Sequence, residues 1–211
     1  MSAPIIAFQI IVLIFSVIIH EVSHGLTALK LGDNTAKDAG RLTLNPFKHL
    51  DLFGSVILPL LLAISGLPII GWAKPVPYNP YNLAHPKRAA GLIAFAGPLS
   101  NIVLAALFAG IIRLGASFFS VPLLILLNVI VLINLLLAFF NLVPIPPLDG
   151  SKVLFALLPN SQAIARFEGW FSQYGFFIIL FILFTVGFGF IWPLILSVQS
   201  LLVGPTAALI F

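Results

Sequence analysis

The chain has 211 residues, 61% of them hydrophobic and 8% charged, with a mean hydropathy of +1.18. Soluble domains carry about 25% charged residues, so the composition excludes an ordinary soluble fold and describes an integral membrane protein. The net charge of +4 comes from basic residues scattered over loops; this is membrane topology and anionic-lipid contact, not a nucleic-acid footprint, and the absence of cysteine excludes disulfides and thiolate metal ligands.

The first apolar run extends from Pro4 to Leu29 or Lys30. At about 1.5 Å per residue it exceeds a hydrocarbon core of about 30 Å. It lacks the basic start and small-residue cleavage site of a secretory leader, so it is expected to remain as a span. No charge interrupts it until His20-Glu21-Val22-Ser23-His24. An ionisable group at that depth costs roughly 2.5–3.5 kcal/mol, which makes function the default reading. Residues i and i+4 lie about 40° apart on a helix, so His20 and His24 can both reach one metal ion. Glu21 is rotated about 100° from His20 and flanks the ion, where it can take a proton from a metal-bound water. This is the H-E-x-x-H pattern of zinc hydrolases. Gln9, Ser16, Ser23 and Thr27 continue the same polar stripe, which must face protein or water rather than lipid. A helix whose polar residues satisfy one another inside a bundle is the bland alternative.

Residues 33–52 form the longest polar segment. Within it, 40–46 alternates apolar and polar and predicts a short β-hairpin or edge strand near residues 38–46. Such a strand would either hold an extended substrate by strand addition or merely cap the bundle. Residues 53–71 are apolar but broken by Pro59, Gly66 and Pro68, a marginal span or a re-entrant element. A loop rich in proline and aromatics follows at 71–81, as expected at a membrane interface. The next span, 89–112, places Ala90, Ala94, Gly97, Pro98, Asn101 and Ala105 on one face, where small residues allow close helix approach.

Another span is predicted over 121–140, with Asn128 and Asn134 inside it. It leads into Asn141-Leu142-Val143-Pro144-Ile145-Pro146-Pro147-Leu148-Asp149-Gly150, whose prolines unwind the chain; broken backbone at membrane depth is tolerated where it lines a cavity. Asp149 is the candidate third metal ligand, since two His and one carboxylate leave a tetrahedral position for water. It can also N-cap a helix over 151–158, and the two roles are compatible. Residues 159–173 read as an amphipathic connector, and 174–211 as two short spans or one span and a surface segment. The whole predicts a single all-α membrane domain over 1–211, with about five or six transmembrane segments, a core over 4–159 and C-terminal membrane segments over 174–211. His49 with Asp51, and His85, read as loop and interfacial residues outside the site.

Three motifs stand in order: His20-Glu21-x-x-His24, Ala96-Gly97-Pro98-x-x-Asn101, and Asn141-Leu142-Val143-Pro144 followed by Leu148-Asp149-Gly150. Together they resemble the site-2 proteases, a family of intramembrane zinc metalloproteases, and the segments 40–46 and 71–77 look like its compact prokaryotic branch without a PDZ domain. The resemblance covers about three-quarters of the chain. It implies one zinc ion held by His20, His24 and Asp149, with Glu21 as general base. It further implies that Asn141 helps stabilise the oxyanion and that Asn101 has a structural or substrate-binding role. The expected activity is hydrolysis of peptide bonds within or next to transmembrane helices of membrane-protein substrates. The expected setting is a multi-pass protein of a prokaryotic inner membrane, with the lipid bilayer and transmembrane substrates as partners, no nucleic acid, and a homo-oligomer left open. A membrane metal or ion transporter predicts no dependence on Glu21, and a non-catalytic scaffold predicts loss of a ligand or of the base.

Overall fold

A computed structural model describes residues 3–57, 61, 64, 73–187, 189 and 191–209. Helix α1 spans Ala3–Lys30, and the single turn α2 covers Thr35–Asp38. After a loop region come α3 (Pro86–Gly115), α4 (Val121–Asn141), α5 (Asp149–Leu157), α6 (Gln162–Thr185) and α7 (Trp192–Val203). Helices α1, α3, α4 and α6 are long and apolar enough to cross a membrane. That makes four candidate spans among the described residues. Helix α7 has 12 residues, about 18 Å at 1.5 Å per residue, too short to cross. Of the expected segment 53–71, a wide helical turn at Leu52–Ile57 is described, and most of the remainder lies outside the described residues.

Helix α3 is the hub. It packs against α1, α4, α5 and α7, and its small residues make this close approach feasible: Ala89, Gly91, Ala94, Gly97, Ala105 and Ala109 are all buried. A Cβ on Gly91 would run into Ala156 of α5. An apolar core of Ala105, Ala109 and Ile112 from α3, Leu124, Val131 and Leu135 from α4, and Ile195 from α7 fills one end of the bundle. The opposite faces are apolar and exposed, as lipid contact requires: Ile6, Ile10, Ile14 and Phe15 on α1, and Phe177, Phe181 and Phe184 on α6. Ser161 caps α6 by accepting from the Ile164 N–H, so the expected connector at 159–173 is the first half of one continuous helix. Aromatic contacts of Phe155 with Phe167 and Phe171 attach α6 to α5.

The predicted strand is absent: no strand occurs among the described residues. Residues 38–46 instead close local turns. The Arg41 N–H returns to the Ala36 carbonyl at 2.9 Å, and Gly40 adopts a φ of +62°. The Asn45 side chain accepts from the Phe47 N–H, opening a 3-10 turn over Pro46–Lys48. The Thr43 carbonyl pairs with His49 Nε2 at 2.8 Å. Side-chain and turn hydrogen bonds of this sort compete with a sheet ladder, and here they use the groups a partner strand would need. A substrate-holding role for 40–46 as a strand falls with it.

Candidate metal centre

Helix α1 presents two working faces. On one, His20 and His24 point toward α3 and α5. His20 Nε2 lies 3.0 Å from Asp149 Oδ2, and His24 Nε2 lies 3.2 Å from the same oxygen. Asp149 sits in the first turn of α5, with Leu148 at the cap position; its carboxylate turns to the imidazoles rather than capping the helix. Gly150 lets this turn seat itself, because a Cβ there would collide with the Leu142 and Val143 carbonyls at the end of α4. Gly97 does the same on the α3 side. A Cβ at 97 would stand 2.5 Å from both His20 Nε2 and His24 Nε2.

The far nitrogens settle the tautomers. His24 Nδ1 lies 2.6 Å from the Ile93 carbonyl, which can only accept, so Nδ1 carries the proton. His20 Nδ1 lies 2.6 Å from Asn101 Oδ1. The Asn101 amide nitrogen faces the Ser16 carbonyl at 3.3 Å and Asn134 Oδ1 at 2.9 Å, which orients its oxygen toward His20 and makes His20 Nδ1 a donor too. Both Nε2 atoms therefore present lone pairs to an anionic oxygen. Three acceptors facing one another at this range repel unless a cation or protons stand among them. Tetrahedral zinc ligands at about 2.0–2.1 Å from the ion lie roughly 3.3–3.4 Å apart, so the observed spacings fit after a small expansion. The polar groups behind the two rings match the usual outer support of zinc-bound histidine.

Glu21 occupies the other face. One ligand atom from each of Glu21, His20 and His24 lies within 4.8 Å of the other two, yet Glu21 Oε2 accepts the Val76 N–H at 2.8 Å. The carboxylate thus flanks the three-donor cluster, as the 100° offset along the helix requires.

The remaining expected residues are placed differently. Asn101 is fully buried, and its oxygen and amide are already committed to His20, Ser16 and Asn134; it stands behind the metal cluster and offers no free group to a substrate. Asn141 lies at the end of α4 and donates to the Leu137 carbonyl of its own helix at 3.0 Å, without a hydrogen bond to the cluster among the described residues. Ser16, read only as part of a polar stripe, and Asn134, read only as a polar residue in a span, join the support of His20: Asn134 Nδ2 donates to Ser16 Oγ at 3.0 Å. The Ile93 carbonyl and Val76 amide are main-chain groups with no signal in residue identity.

The profile of Peptidase family M50 matches residues 111–182, the stretch that carries Asn141 and Asp149. "Putative zinc metalloprotease YwhC" of Bacillus subtilis is 36% identical over 196 residues, covering 89% of this chain and 85% of that protein. The chain belongs to peptidase family M50. Two further relatives each bear the name "Putative zinc metalloprotease Rip2". The one from Mycolicibacterium smegmatis is 34% identical over 183 residues, 82% of this chain and 64% of that protein. The one from Mycobacterium tuberculosis is 32% identical over 149 residues, 70% of this chain and 56% of that protein. No solved structure matches the chain. M50 membership makes this a zinc metalloprotease of the membrane, with His20, Glu21 and His24 as its H-E-x-x-H cluster.

Proposed function

We propose that this M50 protein hydrolyses peptide bonds within or beside transmembrane helices of other membrane proteins. In this reading one zinc ion is held by His20, His24 and Asp149. The observation that carries it is the convergence of the two imidazole Nε2 atoms on one Asp149 oxygen, at 3.0 and 3.2 Å, on a helix that is itself a candidate span. Zinc, when bound there, supplies a Lewis acid and a water acidified toward neutral pH. Glu21, beside these residues, would accept a proton from the attacking water and pass it to the departing amine. Asn141 turns its amide from the Leu137 carbonyl toward the oxyanion that develops on the scissile carbonyl. Asn101 fixes the His20 ring. The bacterial relatives support a prokaryotic cell membrane as the setting, with the bilayer and transmembrane substrates as partners.

The test compares zinc content and cleavage of a model transmembrane substrate in detergent for wild type and Glu21→Gln. Stoichiometric zinc in both, with cleavage lost only in the variant, is the expected result. A folded wild-type protein that takes up no zinc would refute the ligand set.

A further inference from the structure

Residues 73–79 have no regular secondary structure and meet α1 at Val76, with prolines at 75 and 77 and a third at 80. Proline has no N–H, so only Lys74 and Val76 can donate from the stretch 74–77. Both are used across the fold. The Lys74 N–H goes to the His49 carbonyl at 2.9 Å, and the Val76 N–H goes to Glu21 Oε2 at 2.8 Å. Two residues beyond Pro77, the Asn79 N–H donates to Asp33 Oδ2 at 2.7 Å. The Lys74 carbonyl is held as well, by Arg41 Nη2 at 2.7 Å. The segment is therefore tied down on both sides of the one amide that meets the base.

Its stiffness has a local origin. Pro75 fixes its own φ, and Pro77 confines Val76 to extended backbone. The Val76 side chain seats on α1 at Gly25, where an added Cβ would lie 2.8 Å from Val76 Cγ1 and 2.6 Å from Leu42 Cδ2. Gly25 is four residues past Glu21 and shares its helical face. The same contact that docks the segment therefore aims its amide at the carboxylate.

Resting on the reading of Glu21 as the base, we infer that the Val76 main-chain amide sets the orientation of that carboxylate, and that Arg41 is a positioning residue acting through Lys74. A charge-assisted N–H···O bond holds one carboxylate oxygen in place and leaves Oε1 for the proton. Misplacing a reacting group by about 1 Å can lower a rate on the order of 100-fold. No residue type marks this role, because the working group belongs to the backbone.

The experiment uses the full zinc-loaded chain in detergent with a model transmembrane substrate. Val76→Pro removes the N–H but keeps the extended backbone that Pro77 already imposes, whereas Val76→Ala keeps the N–H and trims only the packing. kcat is expected to be about 10-fold or more lower in Val76→Pro than in Val76→Ala, with KM and bound zinc alike in the two. Arg41→Gln is expected to lower kcat several-fold alone and to add nothing in the Val76→Pro background, since coupled residues are non-additive. Arg41→Lys, long enough to carry a donor toward the Lys74 carbonyl where the shorter Gln amide falls short, recovers part of the loss. Equal kcat in the two Val76 variants, or an undiminished Arg41→Gln effect on top of Val76→Pro, overturns the inference. Should Val76→Pro fail to fold, the Arg41 pair decides: recovery of kcat by Lys supports positioning, and a loss confined to zinc or KM overturns it. Glu21→Gln run alongside separates the two levels. An active Glu21→Gln sinks the base assignment itself, whereas an inactive one beside equal Val76 variants sinks only the positioning role.

Discussion

Gly97→Ala is the sharpest probe of the metal centre, because it adds one methyl group where the two ligand rings meet. The new Cβ would lie 2.5 Å from His20 Nε2, His24 Nε2 and His24 Cε1. Carbon and nitrogen rest comfortably at about 3.5–4 Å, so the rings or the helix must give way by roughly 1 Å. Helix α3 has little room to retreat. Its Gly91 lies against Ala156 of α5, and it packs on α4 along much of its length. The rings move instead, and both belong to the proposed ligand set. Overpacking of this size destabilises by about 1–3 kcal/mol. Disturbing even the support of one ligand lowers metal affinity about 10- to 100-fold, so displacing two is expected to weaken zinc at least 100-fold. Competition with a calibrated chelator gives the affinity, and thermal unfolding with and without excess zinc separates a misshapen site from a misfolded chain. Wild-type zinc affinity in a stable Gly97→Ala protein would refute the placement of the two imidazoles against α3.

Two further outcomes follow from the surroundings of the site. Asn101→Ala removes the acceptor of His20 Nδ1–H and strands the Asn134 side chain, so zinc affinity should fall about 10- to 100-fold with a lower melting temperature; unchanged zinc affinity would show that Asn101 does not orient His20. Asp33 gives a pH signature. Burial opposes its ionisation, but donors from Thr35, the Asn79 N–H and Asn82 hold its carboxyl below the usual range. A depressed folded-state pKa means stabilisation that is fully present above the unfolded value of about 3.9 and is lost as pH falls through the lower folded value. Melting curves between pH 7 and 3 should therefore decline less steeply below about pH 4 in Asp33→Asn than in wild type, and parallel declines would contradict the assignment.

The spans and the proposed metal ligands are legible because each leaves a mark in residue type. Charge-free runs announce α1, α3 and α4, and an i, i+4 pair of histidines inside such a run has few structural uses. Asp149 was legible as the lone carboxylate on a proline-broken segment. What stayed hidden shares a different cause. The alternation at 40–46 reflects Leu42 packing toward Gly25 between residues engaged in turns, and period-two patterning cannot tell that from a pleat. Helix α6 was divided at 173 because its first turns are amphipathic, although nothing in 159–173 breaks a helix after the Ser161 cap. Asn101 carries a donor and an acceptor on any reading, and only its neighbours decide that both face inward.

A charged catalytic cluster in an apolar bundle raises the question of what keeps it from being merely destabilising. Buried amides are tolerated when every group is matched, and the support of His20 meets that condition. Asn134 donates to Ser16 Oγ and to the Ile130 carbonyl, and accepts from Asn101. Asn101 in turn reaches the Ser16 carbonyl and His20. These bonds join α1, α3 and α4 at one level, so they specify how the three helices pack while also fixing an imidazole tautomer. The remaining unmatched set is Nε2, Nε2 and Oδ2, which only a cation or protons can reconcile. The packed bundle therefore fixes both its own helix packing and a set of three donors whose chemistry suits a cation.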